Sequence, residues 1–81
     1  MNYHVYAIKS KTSDRIYVGI SKNVERRIEE HNSKQVKSTK AYTPWFLIYK
    51  ENCGNNRKRA RKREKYFKSG CGRELLKNII T

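Results

Sequence analysis

Apolar and polar positions alternate at the start of the chain. Residues 3–9 (YHVYAIK) and 15–20 (RIYVGI) are rich in β-branched and aromatic side chains, and the SKTSD between them is turn-forming, which predicts a β-hairpin. The period of two then assigns faces. With Ser10 opposite Arg15 across a four-residue loop, or with the register slipped by two, paired positions sum to an odd number. His4, Tyr6, Ile8, Tyr17 and Gly19 then share one face, with Tyr6 and Tyr17 as opposite or diagonal neighbours.

The period changes at SKNVERRIEEHN, where Ser21 or Asn23 can serve as an N-cap and a glutamate falls in the first turn, so a short helix follows. At about 100° per residue, Val24, Ile28 and His31 form one stripe with Arg27 on its border, while Glu25, Arg26 and Glu29 point away. Residues 33–43 are polar and basic and read as a loop. Pro44 introduces WFLIYK, a strongly apolar strand buried on at least one face. After the loop ENCGNN, a second helix is expected from about Asn56 to Lys68, ended by SGCG. RELLKNII then gives a final short helix with Leu75, Leu76, Ile79 and Ile80 inward. The order is ββαβαα, read as a single domain over residues 1–81 without repeats or a low-complexity linker.

Charge changes the picture most. Twenty Lys and Arg against seven Asp and Glu leave a formal net charge of +13, which favours a polyanion, chiefly nucleic acid, over small neutral ligands. A membrane partner is disfavoured, because no segment has the length and apolar face that an interfacial or spanning helix needs. Cys53 and Cys71 have no CxxC spacing, and MNYHVYAIKS lacks the layout of a signal peptide. These features fit a reduced, cytoplasmic setting.

Seven of the nine residues 57–65 (RKRARKREK) are basic, and they place one carboxylate in an unexpected position. On the wheel Ala60, Glu64 and Phe67 lie within about 60° of one another and form the inward stripe. Arg57, Lys58, Arg59, Arg61, Lys62 and Lys65 are expected outward, as a handle for a phosphate backbone. A carboxylate aimed inward must be compensated, and two readings stay open. One is a salt bridge to Lys68 or Arg61. The other is a metal ligand, since Mg²⁺ is commonly held by one or two carboxylates, waters and substrate phosphate oxygens. The six other acids do not assemble a competing site. Arg27 either snorkels at the edge of its stripe or offers its planar fork to a phosphoryl oxygen. His31 is either a satisfied, half-buried histidine or a catalyst. Tyr6 and Tyr17 either pack or act, with Gly19 removing bulk where a helix or phosphate could approach. A phenol with pKa about 10 is a poor base unless cations or a metal lower it.

These residues, in this order, resemble the GIY-YIG nuclease family. HVY at 4–6 and YVG at 17–19 look like the two motif halves, and the likeness continues through ERRIEEHN, TPWFLIYKE and RKREKYFKSGCGRELL. It is similar to the small stand-alone bacterial members, related to the catalytic module of the nucleotide excision repair nuclease. The resemblance implies an α+β fold, a small three-stranded antiparallel sheet flanked by helices. It also implies one divalent metal ion, Mg²⁺ with Mn²⁺ as the alternative. Carried over position by position, Tyr6 is the general base for the attacking water and Tyr17 orients water or phosphate. Arg27 and His31 are the helix residues of the site, and Glu64 is the metal ligand. His4 stands where the family has the first glycine and Val18 where it has isoleucine, so His4 brings a titratable group to the active face.

The expectation is a metal-dependent endonuclease acting on DNA phosphodiesters in repair or recombination, with RNA as a second polyanion and a protein partner as one source of specificity. The rival expectation is a basic nucleic-acid-binding module without catalysis.

Overall fold

The computed structural model describes residues 2–80. The hairpin closes where Ser10 N donates to Arg15 O at 3.0 Å. This joins β1 (His4–Ser10) to β2 (Ile16–Ser21) in antiparallel register, with Tyr6 opposite Gly19 and Ile8 opposite Tyr17. All these pairs sum to an odd number, so Tyr6 and Tyr17 are diagonal neighbours on one face. β3 (Trp45–Asn52) adds antiparallel to the other side of β1, giving the strand order β2-β1-β3. A bulge lies between Ala7 and Ile8, where Tyr49 and Leu47 are the partners on β3.

Each face of the sheet is covered by different helices. α1 (Val24–Asn32) starts where the Asn23 side chain accepts from Arg26 N, so Asn23 and not Ser21 is the cap. Tyr6, Ile8, Val24 and Trp45 pack together beneath α1, with Tyr17, Ile28 and Tyr42 at the margin. Asn32, the last residue of α1, is tied to β3 by a reciprocal pair: its Nδ2 donates to Trp45 O at 3.0 Å and its Oδ1 accepts from Trp45 N at 2.6 Å. The expected loop 33–43 contains a short 3₁₀ turn at Lys40–Tyr42.

The opposite face carries α2 (Arg57–Lys68), capped by Asn56, and α3 (Gly70–Ile80). Val5, Ala7, Val18, Cys53, Ala60, Phe67 and Leu76 form the core there. Two expectations are corrected on α3. The final helix begins at Gly70 and not at Arg73, and Gly72 sits in its first turn, where an added Cβ would collide with Tyr66 O and Phe67 Cα. The glycine therefore lets the backbone of α2 approach closely, a packing role that looks like a terminator in sequence. Leu75 and Ile79 are 43% and 44% exposed, not inward, because α3 docks through the row of Gly72 and Leu76 and leaves the neighbouring row outside. The side chain of Ile80, also expected inward, lies outside the described residues.

Candidate active site

Tyr6 and His31 meet in the interior. Their side chains come from β1 and α1, they are 1% and 0% exposed, and Tyr6 Oη lies 3.0 Å from His31 Nε2. The other ring nitrogen, Nδ1, lies 2.8 Å from Thr39 Oγ1. In the tautomer with the proton on Nδ1, the Thr39 hydroxyl accepts from His31 Nδ1–H and can turn its own proton to Val36 O at 3.4 Å. That leaves the Nε2 lone pair to accept from the Tyr6 hydroxyl. Thr39 is itself fixed by Trp45, whose Nε1 donates to Thr39 O at 2.9 Å. Thr39 is the functional residue that sequence reasoning missed; nothing distinguishes one threonine within a polar, basic loop.

Burial holds both groups of the pair neutral. It pushes Tyr6 up to about 12, helped by Tyr17 and, to a lesser degree, by the charge of Glu64, while the nearby Arg27 works in the opposite sense. Burial, then the charge of Arg27, pushes His31 down from 6.5 to about 4, with Glu30 opposing. A consequence for stability follows. Between pH 6.5 and about 4 the unfolded chain binds a proton at residue 31 that the folded chain does not. Stability is therefore expected to fall as pH drops through that window, by on the order of 3 kcal/mol, and to level off below it. Urea unfolding of wild type and His31→Gln at pH 7, 6, 5 and 4 checks this, the variant having lost that part of the acid slope.

Tyr17 completes an aromatic triangle. Its ring centroid is 4.8 Å from that of His31 and 6.4 Å from that of Tyr6. Gly19 is what allows this: an added Cβ would lie 2.8 Å from Tyr6 Oη, 3.0 Å from Tyr6 Cζ and 3.1 Å from Tyr17 Cε1. The space that the glycine leaves is filled by the Tyr6 phenol, not by an approaching helix or phosphate. Gly19→Ala is therefore expected to tilt the phenol away from His31 and to lower any activity that uses it by at least about tenfold. The cost in stability should be small, about 1 kcal/mol; cleavage rate and melting temperature measured on the same protein separate the two.

Arg27 lies beside this pair on the border of the α1 stripe. Its Nη1 donates to Glu30 Oε1 at 2.9 Å, and Glu30 is also 3.7 Å from Arg26 Nε. Glu30 thus braces the guanidinium. The Glu30 hydrogen bond and, more weakly, the Tyr6 hydroxyl raise the pKa of Arg27, fixing a positive charge beside the phenol.

Glu64 flanks the buried Ala60–Phe67 stripe of α2, about 50° round the wheel from its centre. Its side chain is 21% exposed, and Lys68 Nζ donates to its Oε2 at 3.3 Å, the i+4 bridge that the sequence allowed. It opens onto a groove shared with Arg57, Lys58, Arg61, Lys62, Lys65 and Lys68. The basic residues of α2 thus divide about the stripe. Arg59 is absent from that groove, and its charge helps hold the Glu51 carboxyl low, secondary to the hydrogen-bonding fork of Arg63. Arg63 donates to both oxygens of Glu51, at 2.6 and 2.9 Å, and stacks on Tyr66 and Phe67.

His4 does not touch this relay by a hydrogen bond; its Nδ1 is buried without a partner. For a metal ion, the donor set is decisive. Among the described residues no group of three or more His, Cys, Asp or Glu converges, which argues against a closed protein cage. One partly exposed carboxylate at the edge of a cationic groove does fit Mg²⁺, which retains waters and takes further oxygens from substrate.

The paired tyrosines on the hairpin and the Arg and His on the first helix meet on one face of the sheet, and the charge of the glutamate on the second helix reaches Tyr6. Residues 2–75 match the family model described as the GIY-YIG catalytic domain, and the chain belongs to that family of nucleases. It is 36% identical over 78 residues to a UPF0213 protein of Staphylococcus haemolyticus, covering 95% of this chain and 93% of that protein. A UPF0213 protein of Desulfotalea psychrophila is 45% identical over 51 residues, which span 60% of this chain but only 46% of the relative. The fold is similar to the solution NMR structure of a UPF0213 protein from Bacillus halodurans. The TM-score is 0.56 at 28% identity, covering 98% of this chain and 85% of that one.

Proposed function

We propose that the protein is a divalent-metal-dependent endonuclease that hydrolyses phosphodiester bonds in DNA. The observation that carries this reading is the buried Tyr6–His31 pair, bonded to Thr39, with Arg27 beside it on α1 and the charge of Glu64 on α2 acting on Tyr6.

With a pKa raised to about 12, Tyr6 is no base by itself; its hydroxyl is a donor aimed at His31. The pair acts as a relay. As the oxygen of water attacks phosphorus, its proton passes to Tyr6 Oη while the Tyr6 proton passes to His31 Nε2. The bond from phosphorus to the leaving oxygen breaks with its electron pair on that oxygen, which takes a proton from solvent. A phosphate docking beside Arg27 brings negative charge next to His31 and offsets the repulsion that Arg27 exerts on the developing imidazolium. Arg27 also neutralises charge on the non-bridging oxygens. Glu64 would hold the Mg²⁺ ion, which when bound supplies further positive charge at the phosphate. Mn²⁺ satisfies the same oxygen donors.

Arg57, Lys58, Arg61, Lys62 and Lys65 line the groove that leads to Glu64 and would follow the backbone without reading bases. Two free cysteines suit the reducing cytoplasm in which this proposal places the enzyme, in DNA repair or recombination. A partner protein or the structure of the DNA would supply the specificity that phosphate contacts lack. No helix among the described residues is long and apolar enough to cross a membrane.

The test is to present flaps, nicked duplexes, bubbles and single strands, as DNA and as RNA, with Mg²⁺ or Mn²⁺. Arg27→Ala is expected to cut about 10²- to 10³-fold more slowly than wild type while still binding. Tight, salt-sensitive binding with no cleavage of any substrate would instead support the non-catalytic basic module.

A further inference from the structure

A second cavity, of about 320 Å³, opens beside the catalytic pair and is walled by Asp14, Arg15, Thr39, Tyr42, Trp45 and Arg73, with Tyr17 at its boundary. Tyr17 and Thr39 belong to both places: one packs its ring on His31, the other bonds to His31 Nδ1. The cavity thus shares two residues with the surroundings of His31 and none with the α2 groove. Its volume is at the lower end of the range for small-ligand sites, about 300–1,000 Å³.

The chemistry of its walls is mixed in a way that fits one kind of ligand. Arg15 lies over the Tyr42 ring, its Cζ 4.2 Å from the ring centroid. This gives the wall a planar, cationic surface, on which a nucleobase can stack. Arg73, from α3, also lines the cavity and adds a fork suited to a phosphate. Asp14 is an acceptor that a phosphate would avoid but a base amino group or a sugar hydroxyl can use. A stacking surface, a phosphate fork and one acceptor together match a nucleotide better than a bare phosphate or an apolar group.

Resting on the nuclease reading, we propose that this cavity holds the single-stranded DNA nucleotide next to the scissile phosphate, its base on the Arg15–Tyr42 pair and its phosphate on Arg73. The protein would then require a locally unpaired strand at the cut. The preference comes from the hairpin tip and α3, neither of which contributes to the catalytic pair.

Trp45 is the chain's only tryptophan and lines the cavity, so its fluorescence reports on occupancy. A single-stranded thymidine trinucleotide with a 5′-phosphate is the probe. Wild type is expected to give a saturable Trp45 response, and Arg15→Ala and Arg73→Ala, with unchanged circular dichroism, each to weaken it about tenfold. A trinucleotide with an abasic central position should bind about tenfold more weakly to wild type, with no further loss in Arg15→Ala. A flat titration overturns the proposal, as does equal affinity in wild type and both variants, or equal affinity for the abasic probe. The nuclease reading fails separately, if wild type cuts none of the DNA substrates with Mg²⁺ or Mn²⁺, because the Trp45 titration needs no cleavage and stands alone.

Discussion

Tyr6→Phe is expected to lower DNA cleavage by about 10³-fold while the protein stays folded. The ring fills the second core cluster with Ile8, Val24 and Trp45, and phenylalanine preserves that packing. What is lost is the oxygen 3.0 Å from His31 Nε2, through which the proposed proton relay runs. Leaving Nε2 buried without a donor should cost about 1–3 kcal/mol of stability, too little to account for the rate. Single-turnover cleavage, with melting measured on the same preparation, separates the two. A rate within threefold of wild type would remove Tyr6 from the mechanism.

Glu64→Gln should have an effect of similar size for a different reason. The substitution keeps size and hydrogen-bonding capacity but removes the charge that would hold a divalent cation at the edge of the groove. Cleavage is expected to fall by about 10³-fold. Binding to DNA should stay the same or tighten, because Lys68 loses its ion-pair partner at 3.3 Å and one negative charge leaves a cationic surface. A salt bridge with Lys68 alone predicts otherwise: such an exposed i,i+4 pair contributes no more than about 0.5 kcal/mol of stability, and its loss would leave cleavage unchanged.

The candidate site was legible in sequence where periodicity constrains direction. A parity argument on the hairpin placed Tyr6 and Tyr17 together, and the register bears this out. The helix wheels put Arg27 and His31 on one side of α1, and set Glu64 apart from the other acids. Three things were hidden, each for a physical reason. Thr39 comes from an irregular loop with no period to reveal which residue turns inward, yet its hydroxyl lies 2.8 Å from His31 Nδ1. Gly19 and Gly72 both serve close approaches, one to a side chain and the other to a helix backbone, and a glycine carries no mark of which neighbour it accommodates. The pairing of Arg63 on α2 with Glu51 depends on a carboxylate of a strand that a wheel cannot include. The exposed row of Leu75 and Ile79 has a similar origin, since the wheel finds an apolar arc but not which part of it the neighbouring helix covers.

The most direct measurement is single-turnover cleavage of a flap or bubble DNA by wild type and Glu64→Gln, side by side, across a Mg²⁺ titration and above the dissociation constant for DNA. The predicted result is saturable, Mg²⁺-dependent cutting by wild type and a rate about 10³-fold lower for Glu64→Gln at every Mg²⁺ concentration, with DNA binding retained. Undiminished cutting by Glu64→Gln, or cutting by wild type that is insensitive to chelation, would contradict it.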